Sequence, residues 1–203
     1  MDVRANPAIY EGGFSDPVFD AQGVFRAVMD ALAHPGRIID LGPVTRAPAP
    51  LDHGASAILA ALADHDTPVW FEAEDCAEAG AWLVFHTGAP VADAPGNASF
   101  AVLSKAGPVE SWDRFAIGTS SYPDRSVTLL LPVGDLESGV PLTLEGPGIE
   151  TTATLAPTGL PDGFVEAMAG NAQRFPLGFD VILVAGRAIA ALPRTTRITS
   201  TEI

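Results

Sequence analysis

The clearest pattern in the chain lies near its C-terminus. Residues 180–185 (Asp-Val-Ile-Leu-Val-Ala) form a branched apolar run bounded by Gly178 and Gly186. The run is too short for an ordinary helix and suits a strand buried on both faces. Gly186-Arg187 reads as a two-residue turn, and Ala188 to Leu192 returns as a second apolar strand. Pro193 ends it, because proline cannot donate to a sheet ladder. The polar string Arg194-Thr195-Thr196 then leaves the core. This hairpin is expected at the centre of the fold.

The rest of the pattern fits around it. Asp16 and Pro17 open a first helix as cap and first residue. Val24, Val28 and Leu32, with Phe25 and Met29 beside them, give it an apolar stripe. Pro35-Gly36 stops it, and 37–41 is a short strand candidate. Residues 52–63, rich in alanine, predict a second helix. Val69-Trp70-Phe71 predicts a short strand. A helix over 75–85 precedes a loop, His86 to Pro90. Strands are expected at 99–103 and 126–131, with a brief helix at 109–116. Residues 141–145 and 149–155 alternate around Gly146-Pro147-Gly148, as an antiparallel hairpin does. A last helix spans 162–173. Strands interleaved with helices, then hairpins, predict an α/β fold: three layers, α/β/α, with a mixed sheet. One domain is expected over 1–203, with 1–13 as a flexible arm.

Composition narrows the function. The chain has 203 residues, is 47% hydrophobic and carries a net charge of −14, from 25 acidic and 11 basic residues. That balance argues against nucleic acid, whose binding rests on cationic contacts to phosphate. It argues equally against an anionic membrane surface. No 18-residue apolar run and no N-terminal apolar signal is visible, so a soluble cytoplasmic protein is expected. Cys76 is the single cysteine, which excludes an intramolecular disulfide and a thiolate zinc cluster within one chain. Lys105 is the single lysine, so a Schiff-base cofactor would have to use that amine. No cofactor and no metal is expected.

Generic catalytic motifs are missing: there is no phosphate loop, dinucleotide fingerprint, paired-histidine zinc motif or nucleophile elbow. Four weaker candidates remain. Arg194, Thr195, Thr196 and Arg197 could converge on a phosphate or carboxylate, or the two charges could simply brace a strand end. Asp180 and Arg174 flank the core strand and are expected to form a structural ion pair. His86 with Thr87 could serve as an acid/base group, against the plainer reading of a loop histidine bonded to backbone. Asp64 and Asp66, on either side of His65, could bind a metal, although consecutive side chains diverge and an aspartate before a strand commonly caps a turn.

Several of these stretches also carry a family resemblance. They are residues 20–26 through 33–36, 62–70, 85–90, 144–149, 175–180 and 192–196, in that order, covering about 14–198. Together the chain resembles the H subunit of the bacterial carbon–phosphorus lyase system for phosphonate catabolism, the PhnH family. The resemblance implies a fold like the large domain of pyridoxal-phosphate-dependent transferases, without that cofactor. It implies a homodimer in isolation and incorporation into a core complex with the G, I and J subunits. That complex is implied to join an alkylphosphonate to the ribose of ATP, releasing adenine and giving a ribose 1-phosphonate 5-triphosphate. The radical cleavage of the C–P bond is implied to belong to the J subunit. The resemblance supplies no catalytic residue for this chain, so an accessory, docking role is expected. The alternatives are an independent transferase-like enzyme holding a phosphate or nucleotide near Arg194, and a dimeric scaffold with no ligand site.

Overall fold

The structure, a computed structural model, describes residues 7–104, 109 and 111–200. Lys105, on which the Schiff-base argument turned, lies outside the described residues. Four helices and nine strands are seen among the described residues, with three short 3-10 turns. The helices are α1 (Pro17–Ala33), α2 (His53–Leu62), α3 (Ala77–Thr87) and α4 (Phe164–Gln173). Strands β1 (Ile39–Asp40), β2 (Val69–Phe71), β3 (Phe100–Val102), β4 (Thr128–Pro132), β7 (Asp180–Ala185) and β8 (Ala188–Leu192) build a six-stranded mixed sheet in the order β1-β8-β7-β4-β3-β2. Strands β2, β3, β4 and β7 run parallel, and β8 and β1 are added antiparallel.

Local chemistry explains the element ends. Asp16 Oδ1 accepts from the Phe19 amide at 3.2 Å, and the Asp16 amide donates to Asp20 Oδ2 at 2.9 Å. This reciprocal capping starts α1. Asp52 caps α2 through the Ala55 amide at 2.7 Å. The β7–β8 turn is the two-residue turn expected, with Ala185 opposite Ala188 and Gly186 at φ 63°. Leu192 ends β8 and Pro193 follows.

Alternation along the strands divides the core in two. Val69, Phe71, Val102, Leu130, Ile182, Val184, Ile189 and Ala191 face α1, α2 and α3. Leu129, Leu131, Val181, Leu183, Ala190 and Leu192 face the opposite side. That side is covered by α4, through Phe164 and Met168, and by a second sheet. The second sheet has the order β6-β5-β9, from β5 (Leu142–Glu145), β6 (Ala153–Leu155) and β9 (Arg197–Ser200).

The structure differs from the sequence expectations in five places. The 141–155 hairpin belongs to the small sheet and not to the main one, and only 153–155 of its second arm is strand. The segment after Arg194 re-enters as β9, pairing Arg197 with Glu145 and Ile198 with Leu144. His86 and Thr87 lie in the last turn of α3, because Gly88 at φ 77° delays the helix end. Phe25 and Met29 point to solvent, 47% and 51% exposed, while Ala31 takes the buried place beside Val24 and Val28. Among the described residues, the 109–116 segment holds only a 3-10 turn at Trp112–Arg114.

Candidate functional site

Four stretches distant in sequence meet at the amino ends of the parallel strands β4 and β7. They are the turn after α1 (33–36), the β5–β6 turn (146–148), the segment 175–180 and the segment 192–196. Their close approach depends on two glycines. Gly148, at φ 85°, lies against the Ala33 carbonyl and the Pro35 ring, and a side chain would collide with both. Gly178, at φ 129°, leaves 2.5 Å between its missing Cβ and Asn171 Oδ1. Both backbones are in the region that L side chains avoid.

Asp180, the first residue of β7, and Arg194, just past β8, are the polar centre of this cluster. The guanidinium is fully engaged. Nε donates to Asp180 Oδ1 at 3.2 Å and Nη2 to Asp180 Oδ2 at 2.6 Å. Nη2 also donates to the Ser126 hydroxyl at 2.5 Å, and Nη1 to the carbonyls of Pro123 at 2.9 Å and Pro176 at 3.4 Å. The Arg194 amide adds a bond to Asp180 Oδ1 at 2.8 Å. Five guanidinium N–H groups are all it has to give. Arg194 therefore ties together β7, β8, the 123–126 turn and the 175–176 corner, and it offers no donor to an incoming anion as it is placed here.

Asp180 and Arg174 do not pair with each other. Arg174 reaches Asp113 at 2.6 Å on the surface, and Asp180 takes Arg194. The expectation failed because residue spacing along a strand says little about a partner 61 positions away. Thr196 is buried, its amide bonded to the Pro193 carbonyl at 2.8 Å and its hydroxyl without a partner among the described residues. Thr195 is half-buried and lines a neighbouring groove of about 580 Å³. The groove runs between α4 and β9, with Ala169, Ala172, Phe175 and Ile198 among its walls and Arg197 as its charged member. Phe175 is 62% exposed.

The remaining candidates sit elsewhere. Segments 62–70 and 85–90 join at the β2 edge, where the Val69 amide donates to the Pro90 carbonyl at 2.9 Å. Asp64 closes a turn: its Oδ1 accepts from the Asp66 amide at 2.9 Å and the Thr67 hydroxyl at 3.1 Å. Asp66 lies in the open with His65, 3.3 Å apart and both about 80% exposed. No group of three His, Cys, Asp or Glu side chains gathers around a possible metal position among the described residues. Thr87 donates back to the Leu83 carbonyl at 2.8 Å and accepts from the Ala89 amide at 3.0 Å, so its hydroxyl finishes α3.

His86 has the more unusual setting. Its ring lies 4.5 Å from the Trp82 ring and 5.0 Å from that of Phe85, beneath Gly13 of the N-terminal arm. Nε2 is buried without a hydrogen-bond partner among the described residues. Burial lowers the ring's pKa below the ordinary histidine value, and the nearby Glu11 and Ile9 carbonyls partly oppose this. Trp82 Nε1 donates to the Glu11 carbonyl at 2.9 Å, which fastens the arm to α3.

Sequence reasoning missed Asn171. Its amide bonds both backbone groups of Phe179, at 2.8 and 2.9 Å, and it is 2% exposed. The signal was a polar residue on the buried stripe Phe164, Met168, Asn171 of α4. Arg197, expected beside Arg194 in an anion site, instead begins β9 and reaches Glu145 across the strand pair at 3.4 Å; the strand itself was not foreseen.

Comparison with known proteins places this geometry in a family. Residues 12–199 match the family described as bacterial phosphonate metabolism protein (PhnH). A Rhizobium meliloti (strain 1021) protein, the alpha-D-ribose 1-methylphosphonate 5-triphosphate synthase subunit PhnH, is 47% identical over 197 residues, 97% of this chain and 98% of its own length. HtxG of Stutzerimonas stutzeri, described as a candidate C-P lyase subunit protein, is 29% identical over 185 residues, covering 87% of this chain and 85% of that protein. The match agrees with the resemblance drawn from the motif stretches. The chain belongs to the PhnH family of bacterial phosphonate metabolism proteins.

Proposed function

We propose that this chain is an accessory subunit of the carbon–phosphorus lyase core complex. That complex converts an alkylphosphonate and ATP into α-D-ribose 1-phosphonate 5-triphosphate and adenine. The observation carrying this reading is the 47% identity, over nearly the whole of both chains, to a subunit of the ribose 1-methylphosphonate 5-triphosphate synthase. The partners in this reading are the G, I and J subunits. The fold is read as a relative of the large domain of pyridoxal-phosphate-dependent transferases, and the setting as soluble and cytoplasmic.

The surface suits a docking protein. Of the twelve exposed large apolar residues among the described residues, eight lie on the helical side: Tyr10, Val18, Phe19, Phe25, Met29, Val84, Phe85 and Val91. A helix on a free surface normally presents polar residues outward. Val18, Phe25 and Met29 repeat along one stripe of α1, with Phe19 beside them. In the isolated chain this stripe is assigned to a second copy. Copies of net charge −14 repel, and an uncharged stripe lets two of them meet without opposing like charges.

The test is growth. Deleting the gene should abolish growth on methylphosphonate as sole phosphorus source, and a plasmid copy should restore it. Unimpaired growth of the deletion strain would count against the reading.

A further inference from the structure

The groove between α4 and β9 has a second feature besides its apolar walls. β9 ends the order β6-β5-β9, so among the described residues it has a strand partner on one side only. An edge strand keeps backbone donors and acceptors that can pair with another chain. Here that edge borders a depression of about 580 Å³ whose walls include Ala169, Ala172, Phe175 and Ile198. Cavities of this size and character accept an apolar side chain or two. Phe175, at 62% exposure, lies at the rim and leaves apolar surface in water.

Charge says what kind of segment fits. The chain as a whole is strongly acidic, with net charge −14. Yet the charged residue lining this groove is a cation, Arg197, whose side chain is 67% exposed. Its contact with Glu145 across the strand pair is 3.4 Å long and open to water. Arg197 can therefore turn toward a carboxylate arriving beside β9 without leaving a buried charge behind.

We infer that the β9 edge and its groove receive an extended segment of a partner subunit, which adds a strand to the small sheet. The segment carries an apolar side chain that enters between Ala172 and Ile198 and an acidic side chain that meets Arg197. This is strand addition: backbone pairing supplies affinity, and alternate side chains supply selectivity. A second copy of this chain is a poorer occupant, since both copies are acidic. The inference rests on the docking reading above and names the place of contact.

Hydrogen exchange on the assembled complex tests it with the wild-type chain. Backbone amides of 197–200 should exchange at least tenfold more slowly in the complex with the G, I and J subunits than in the isolated chain. A variant arm uses Arg197→Glu, at an exposed position, with Ala172→Glu as a separate variant, each checked for an unchanged circular dichroism spectrum. Overlapping 15-residue peptides from the three subunits are titrated by fluorescence anisotropy. The expected binder carries an apolar residue next to Asp or Glu, and Arg197→Glu weakens it at least tenfold. Unchanged exchange at 197–200 on assembly, with protection confined to α1 or α3, overturns the groove and leaves the docking reading intact. Dimerisation of the isolated chain that slows 197–200 and is lost in Arg197→Glu assigns the groove to a second copy and also overturns it. Failure of the wild-type chain to join the complex removes both readings.

Discussion

Replacing Arg194 with alanine probes the polar centre directly. The Arg194 and Asp180 side chains are 14% and 22% exposed, so both are largely out of water. The substitution leaves the Asp180 carboxylate with the residue-194 amide but no counter-charge, and it frees the Pro123 and Pro176 carbonyls and the Ser126 hydroxyl. Breaking a buried pair from one side costs about 3–5 kcal/mol. Water can reach the exposed fifth of Asp180, so the lower end, about 3 kcal/mol, is expected. At about 2–4 °C per kcal/mol for a chain of this size, Tm should fall by about 6–12 °C. Calorimetry and urea unfolding followed by tryptophan fluorescence both read it. Asp180→Asn combined with Arg194→Ala should be less destabilised than the sum of the single changes, with a coupling of about 1–3 kcal/mol. A Tm within about 1 °C of the wild type, together with loss of triphosphate binding, would refute the brace and restore Arg194 as an anion ligand.

Other consequences follow from particular residues. Because burial lowers the His86 pKa, the unfolded chain takes up a proton more readily than the folded one, so this group leaves stability whole above about pH 6.5 and erodes it as pH falls below that value. Thermal melts from pH 7.5 to 5.0 should show a shallower acid decline in His86→Gln than in the wild type; parallel declines would contradict the burial argument. On the proposed α1 self-contact, Phe19→Asp with Met29→Asp should leave the circular dichroism spectrum unchanged, since both residues are exposed, and shift analytical ultracentrifugation from dimer to monomer; a dimer intact in the double variant would move the proposed self-contact off α1. Gly148→Ala places a side chain at positive φ against the Ala33 carbonyl and should destabilise by more than about 1 kcal/mol in urea unfolding; a neutral result would show that the α1 turn and the β5–β6 turn are not tightly joined.

Much of the architecture was legible because it is written in local chemistry. Asp16 and Pro17 announce the start of α1, and the 180–192 hairpin carries its own turn and stop signals. What escaped was decided at long range. β9 has four residues of mixed polarity, Arg-Ile-Thr-Ser, and becomes a strand only because β5 offers Leu144 opposite Ile198. Arg194 was legible as important, but its role depended on carbonyls at 123 and 176 and a hydroxyl at 126, which no spacing rule connects. Phe25 and Met29 fit an apolar helix, yet the stripe that the sheet buries is narrower than the one the sequence displays. Their exposure leaves α1 with apolar surface in solvent.

The central claim is that this chain works by joining neighbouring subunits. The most direct measurement is affinity purification of the chromosomally tagged chain from cells grown on methylphosphonate, with native mass spectrometry of the eluate. The account predicts a discrete assembly containing the G, I and J subunits in fixed ratio. Recovery of this chain alone, from cells in which those subunits are abundant, would contradict it.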